Sequence, residues 1–273
     1  MIRLAIRVAR EQAELVLAEL LELAPSGVEE RDAAPGVVEY AVYGPPGELP
    51  ALPDLRAAAG GALIEVSSTE VADDWSERWR EFHRPLVLGS ALTVRPPWEP
   101  AGATMLDVVI DPGQAFGTGA HATTRLCLEL LLELEPAGPL LDLGCGSGVL
   151  AIVAAKLGFS PVTALDNDPA SLIATTENAE CNGVALEIAR FDLRGQERLP
   201  PAATMTANLL GPLLVELAGR LAAPGVPRPG RLIASGLLVA ETERVATAFA
   251  AVGLAEAGRR ERGEWAALLL TGA

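Results

Sequence analysis

The run Leu140-Leu141-Asp142-Leu143-Gly144-Cys145-Gly146-Ser147-Gly148 constrains this chain more than any other part of it. A short apolar strand enters a turn with glycine at every second position, and Val149 to Leu157 reads as the helix that follows. Strand, glycine turn and helix is a nucleotide-binding layout of α/β sheets. The glycines let backbone pass close to a ligand, and the helix N-terminus offers free N–H groups and a favourable dipole. A dinucleotide fingerprint would need glycine where this chain has Val149, and the Lys-Ser/Thr pair of a P-loop is absent. Nicotinamide dinucleotides and ATP are therefore disfavoured, and an oxidoreductase with them.

From Ala91 onward, strand-like apolar runs alternate with helical ones. The series runs Leu106 to Ile110, Thr123 to Leu134, Leu140 to Leu143, Val149 to Leu157, Val162 to Leu165 and Leu172 to Cys181. Met205 to Leu209, Leu213 to Leu221, Arg231 to Ala234, Ala240 to Val252 and Trp265 to Leu270 continue it. Such alternation predicts a parallel sheet covered by helices. Asp166 follows the strand Val162 to Leu165 and lies 22 residues beyond Gly144, which fits a ribose-binding carboxylate. Asp168, before Pro169, reads instead as a helix N-cap. Asp192, at a later strand end, is a candidate neighbour of the base. Asn208 ends the strand before Leu209-Leu210-Gly211-Pro212. An Asn there is ordinarily a turn residue, but this one falls downstream of both ligand motifs in the strand series.

The N-terminal part has a different rhythm. Ile2, Leu4, Ile6 and Val8 alternate with Arg3, Ala5 and Arg7, as in a half-buried strand, and Glu11 to Leu23 reads as a helix. Strand candidates at Val28 to Arg31 and Val37 to Val42, a helix at Ala51 to Ala59 and a strand at Ala62 to Ser67 complete a β-α-β-β-α-β order. That order predicts a ferredoxin-like α+β domain over residues 1–69. Trp75, Trp79 and Phe82 share one stripe of a helix from Val71 to His83, read as a linker over 70–85 before a domain of 86–273.

Charge and composition remove other classes. With 36 acidic against 21 basic residues, the net charge of -15 opposes a polyanion-binding surface, so sequence-specific nucleic-acid binding is not expected and a basic protein partner suits better. Three cysteines without a CxxC pair support neither a disulfide framework nor a thiolate zinc site, and no metal is expected. Arg3, Arg7 and Arg10 interrupt any signal-like segment and no 18-residue apolar span occurs, so the reading is a cytoplasmic chain without a membrane span, expected to be a monomer. With two histidines, His83 and His121, and no Gly-x-Ser-x-Gly elbow, a Ser/His/Asp hydrolase is poorly supported.

Asp142-x-Gly144-x-Gly146-x-Gly148 resembles the first motif of class I methyltransferases, whose cofactor presents an amino-acid tail and no phosphate to this loop. Together with Asp111-Pro112-Gly113-Gln114-Ala115-Phe116-Gly117-Thr118-Gly119-Ala120-His121-Ala122-Thr123-Thr124, LDLGCGSGVLAI, ALDNDPAS and ANLLGP, the chain resembles the ribosomal protein L11 methyltransferase family over essentially its whole length. The resemblance implies an α/β fold, a Rossmann-like sheet of seven strands with the last antiparallel, beside the small N-terminal domain. It implies S-adenosylmethionine as cofactor, contacted by Thr123, Gly144, Asp166 and Asn208; Gly146 lies in the same loop, and with this cofactor the base that Asp192 is a candidate to neighbour is adenine. Phe116 and Gly117 belong to a loop bordering cofactor and acceptor. Ala120 and Ala122 stand where the family pattern has Thr and Pro, and Gly211-Pro212 falls slightly early after Asn208, which bears on loop detail rather than on the cofactor. The implied reaction is repeated methylation of amino groups, on lysine side chains or the N-terminal amine, of ribosomal protein L11. In that reaction the Asn208 side-chain oxygen or a nearby backbone carbonyl aims the amine, and Leu209 and Leu210 form an apolar wall. The alternatives are a class I methyltransferase acting on RNA or a small amine, and a non-catalytic cofactor-binding protein that docks on the ribosome.

Overall fold

Alternation of apolar and polar residues makes the first strand, β1 (Ile2–Ala9), two-faced, and it sits at the centre of a four-stranded antiparallel sheet. Its partners are β3 (Val37–Gly44) on one side and β4 (Leu63–Glu70) on the other, with β2 (Glu29–Ala34) beyond β3. The order β2-β3-β1-β4 is the split arrangement expected of the ferredoxin-like unit. The computed structural model describes residues 2–13, 16, 20, 29–34, 36–44, 63–70, 84–111, 121–195 and 198–272. The helices expected at 51–59 and 71–83 lie outside them, as does most of that expected at 11–23. Of the latter, Ala13, Val16 and Leu20 are described, at helical spacing, and they are buried with Leu4, Ile6, Val8, Val38, Tyr40 and Val42.

On the other face of this sheet a carboxylate is buried among arginines. Glu39 meets Arg7 at 2.7 Å and Arg31 at 2.6 Å, and Arg3 closes on it as well. Burial alone would raise its pKa, but the hydrogen bonds from Arg3 and Arg7 and the charges of Arg3 and Arg31 outweigh burial and hold it at about 2.

The chain divides into two compact units, residues 1–82 and 83–273. The second is built on a seven-stranded sheet: β8 (Leu140–Leu143), β9 (Val162–Asp166), β10 (Glu187–Arg190), β11 (Thr204–Asn208), β12 (Arg231–Leu238), β13 (Leu254–Arg262) and β14 (Trp265–Gly272). Their order is β10-β9-β8-β11-β12-β14-β13, parallel throughout except for the last strand, β14, which pairs antiparallel to both neighbours. Both faces are covered. Leu140 joins a core with α1 (Ala122–Leu131) and α2 (Val149–Leu157), whereas Leu141 and Leu143 join one with α4 (Gly211–Leu221) and α5 (Thr242–Ala250). The helix α3 (Pro169–Cys181) follows β9. Strand order reverses between β8 and β11, so the crevice at their C-terminal ends is where an open α/β sheet takes its ligand.

Leu106 to Ile110 departs from expectation. It forms a strand, β7 (Leu106–Val109), but not in the large sheet: it pairs with β6 (Leu92–Arg95), which pairs with β5 (Leu86–Leu88), in a separate three-stranded sheet. Arg95 pins β6 to β7 through both oxygens of Asp107 at 2.8–3.0 Å. An apolar run shows that a strand is buried, not which strand it pairs with.

Candidate active site

The glycine loop takes backbone angles that L side chains rarely adopt. Gly144, Gly146 and Gly148 have φ of 76°, 54° and 81°. The N–H groups of Gly144 and Cys145 donate to the Leu165 carbonyl at 2.8 and 3.0 Å, which fastens the loop to β9. From α3, one turn apart, the Thr175 hydroxyl donates to the Gly146 carbonyl and the Asn178 amide to that of Ser147, both at 2.9 Å. A Cβ on Gly148 would come within 2.8 Å of Thr175, so helix and loop touch with no room for a side chain.

Asp166 ends β9 beside this loop. One of its oxygens accepts the Gly146 N–H at 2.9 Å and the other the Asp168 N–H at 3.0 Å. Asp168 caps α3 as its sequence context suggested, accepting the Ala170 N–H at 3.0 Å. Gly144, Asp166 and Asp192, which lie at or just beyond the C-terminal ends of three different strands, line one cavity of about 250 Å³ together with Phe191, Leu193 and Leu209. Gly146 is not part of that lining: its N–H is turned to Asp166, and it shapes the loop.

A second cavity, of about 330 Å³, is lined by His121, Thr123, Asn208, Leu210, Gly236 and Trp265. Leu209 and Leu213 line both cavities. Asn208, at the end of β11, donates from Nδ2 to Thr124 Oγ1 at 3.3 Å, and its buried Oδ1 has no hydrogen-bond partner among the described residues. A buried acceptor left without a donor is costly unless something supplies one. His121 is the N-cap of α1: its Nδ1 lies 2.8 Å from Thr123 Oγ1 and accepts the Thr123 N–H at 3.4 Å, and its ring packs edge-on against Trp265 at 4.9 Å. Phe116 and Gly117 fall outside the described residues.

Three participants were not singled out from sequence. Thr124 holds the Asn208 amide, Trp265 opens β14 and walls the cavity, and Gly236 lies at a bulge in β12. Gly236 has φ +85°, and a Cβ there would stand 2.5 Å from the Leu209 carbonyl oxygen. With the Leu209 N–H donating to Ser235 at 2.8 Å, this close approach sets where Leu209 lies. A glycine inside an otherwise apolar strand was the available signal.

Beneath the loop, Asp142 is fully buried and accepts the Thr206 hydroxyl at 2.6 Å, while its other oxygen has no partner among the described residues. Burial pushes its pKa up to about 7 against the pull of the Thr206 hydroxyl. Burial also raises the thiols of Cys127 and Cys145, the latter to about 12, so neither is a nucleophile. No cluster of metal-binding side chains occurs among the described residues, and none of their helices is long and apolar enough to cross a membrane.

Residues 55–272 match the family described as Ribosomal protein L11 methyltransferase (PrmA). The Ribosomal protein L11 methyltransferase of Geobacter metallireducens is 37% identical to this chain, over 91% of it and 86% of the relative. The protein of the same name from Geobacter sulfurreducens is 41% identical, over 80% and 73%. Among solved structures, a ribosomal protein L11 methylase from Lactobacillus delbrueckii subsp. bulgaricus is similar with a TM-score of 0.59 and 28% identity, covering 70% of this chain and 99% of that one.

Proposed function

The chain belongs to the ribosomal protein L11 methyltransferase family, and from that membership we propose that it transfers methyl groups from S-adenosylmethionine to amino groups of ribosomal protein L11. The finer assignment is to lysine side chains or the N-terminal amine. The observation that carries it is the unpartnered Asn208 Oδ1 in an apolar cavity that shares its Leu209 and Leu213 wall with the cavity at the strand ends.

The residues fit the cofactor. Asp166 stands where a carboxylate accepts ribose hydroxyls, Gly144 lets backbone approach without a side chain, and Phe191 and Asp192 flank the place for the base. S-adenosylmethionine, when bound, supplies an electrophilic methyl carbon whose bond to a sulfonium breaks as the new bond to nitrogen forms. The chain's own task is positioning. A lysine amine titrates near 10.4, so freeing it at about pH 7 costs roughly 4.6 kcal/mol. The apolar lining lowers that cost by disfavouring the cation. Asn208 Oδ1 accepts one amine hydrogen and leaves the lone pair free to point toward the shared wall. His121, tied to Thr123 and Trp265, serves as cap and wall, and no side chain is needed as a base because the amine sheds its proton to water before transfer.

We assign recognition of the protein substrate to the N-terminal domain, residues 1–69, and cofactor binding to residues from 86 onward. All the residues assigned to the cofactor follow residue 110, and a net charge of -15 suits a basic partner.

The test is incubation of the purified chain with S-adenosylmethionine and ribosomal protein L11, followed by mass spectrometry of the L11. One or more added methyl groups on amines is the expected result. Cofactor turnover on RNA with L11 unmodified, or cofactor binding without any transfer, would exclude this function.

A further inference from the structure

One wall of the strand-end cavity is a surface turn held in place from outside. Phe191, Asp192, Leu193 and Arg194 line the cavity and belong to the turn 191–195. Within the turn, Asp192 accepts the Arg194 N–H on its side chain at 2.8 Å and the Gly195 N–H on its carbonyl at 2.9 Å. The carbonyls of Leu193 and Gly195 are both taken by Nη1 of Arg220, the latter at 2.7 Å. The same guanidinium stands 5.6 Å from the centroid of the Phe191 ring. A single side chain near the C-terminal end of α4 thus reaches two carbonyls and an aromatic face of the turn.

We propose that Arg220 is a positioning residue for S-adenosylmethionine, fixing the 191–195 wall against which its nucleoside end rests; this builds on the assignment of that cavity to the cofactor. The chemistry suits arginine rather than lysine, because a planar fork donates in fixed directions while its face stacks on an aromatic ring. The helix does not depend on Arg220 for its packing: Leu214, Leu217 and Leu221 are fully buried in the core. Losing Arg220 should therefore loosen the turn and leave α4 seated. Arg220 is not part of the lining of the Asn208 cavity, so the effect belongs to cofactor binding rather than to the methyl-transfer step.

The experiment compares Arg220→Ala and Arg220→Lys with the parent, all as the full chain. Asp166→Ala, which removes the ribose carboxylate, checks the cavity assignment. Calorimetry gives the Kd of S-adenosylhomocysteine, and steady-state assays give KM and kcat. Arg220→Ala is expected to raise the cofactor Kd and KM about tenfold, equivalent to ~1.4 kcal/mol, with kcat at saturating cofactor little changed and the melting temperature kept. Arg220→Lys should recover only part of the affinity. This split between KM and kcat is what a merely structural role would not produce. Unchanged affinity in Arg220→Ala, while Asp166→Ala binds weakly, would overturn the role of Arg220 and leave the cavity assignment standing. Unchanged affinity in Asp166→Ala would overturn the cavity assignment and this proposal with it. A fall in kcat at constant KM would also overturn it, and if Arg220→Ala does not fold, Arg220→Lys carries the same comparison.

Discussion

Asp142 and Asp166 lie toward the C-terminal ends of neighbouring strands of one sheet, yet their surroundings give them opposite work. Asp166 is half-exposed, holds two backbone N–H groups and faces a cavity. Asp142 is sealed beneath the glycine loop with one oxygen unpartnered and a pKa near 7. Because that value lies above the unfolded one, the folded chain keeps a proton that the unfolded chain has released. The stability this contributes is fully present below about pH 4 and is lost as pH rises through about 7. Asp142→Asn should flatten that dependence, which urea unfolding at about pH 5 and about pH 8 will show as a smaller difference than in the parent. Asn208 gives a sharper test of chemistry. At saturating cofactor, Asn208→Ala should lower single-turnover methyl transfer by at least about tenfold, the equivalent of one hydrogen bond of ~1.4 kcal/mol in the transition state. Full single-turnover rate at saturating cofactor would show that the amide does not aim the amine.

The elements that sequence periodicity named were those with a buried stripe or two buried faces. Val149–Leu157 runs between the residues expected, with glycine on both flanks, and β8 was legible from four apolar-strand residues ahead of a glycine turn. Of the strands of the large sheet, β10 was read only as an unbounded strand ending near Asp192, and β13 was not named. Both are edge strands, mostly exposed along their length, and LAEAGRRER carries little apolar alternation. Their strand character comes from pairing with a neighbour, which composition does not record. The bulge in β12 is another product of pairing, and Gly236 at its centre is a place where one methyl group matters. Gly236→Ala combines a positive φ with a Cβ 2.5 Å from the Leu209 carbonyl. The strained backbone alone costs about 1–2 kcal/mol, and relieving the clash displaces Leu209 from both cavities. Thermal melting should show the loss of stability, and the methylation rate should fall beyond what that loss explains. A variant as stable and active as the parent would mean that Leu209 has room to move.

At the scale of the whole chain, two compact units offer a division of labour to test. A truncated chain beginning near Pro85 keeps the complete seven-stranded sheet and both cavities. It should bind S-adenosylmethionine while losing most methylation of ribosomal protein L11; folding is checked first by circular dichroism, and a well-folded truncated chain that methylates L11 at the full rate would refute the assignment of substrate recognition. The family match begins at residue 55 and so leaves most of the N-terminal unit outside it, although its four strands were readable from alternation and turn residues. By itself the sequence determined the α/β class, the glycine loop, Asp166 at its strand end and the cap at Asp168. These are local matters, set by spacing along one strand-turn-helix unit and by glycine's freedom at positive φ. Only the tertiary structure decided that Leu106–Val109 leaves the main sheet, and that Asn208 is left with an unpartnered oxygen. It also decided that Thr124, Gly236 and Trp265 surround Asn208, and that Arg220 reaches the 191–195 turn. Those facts depend on which strands pair and on groups far apart in the chain meeting at one end of a sheet, and no periodicity within a segment carries that information.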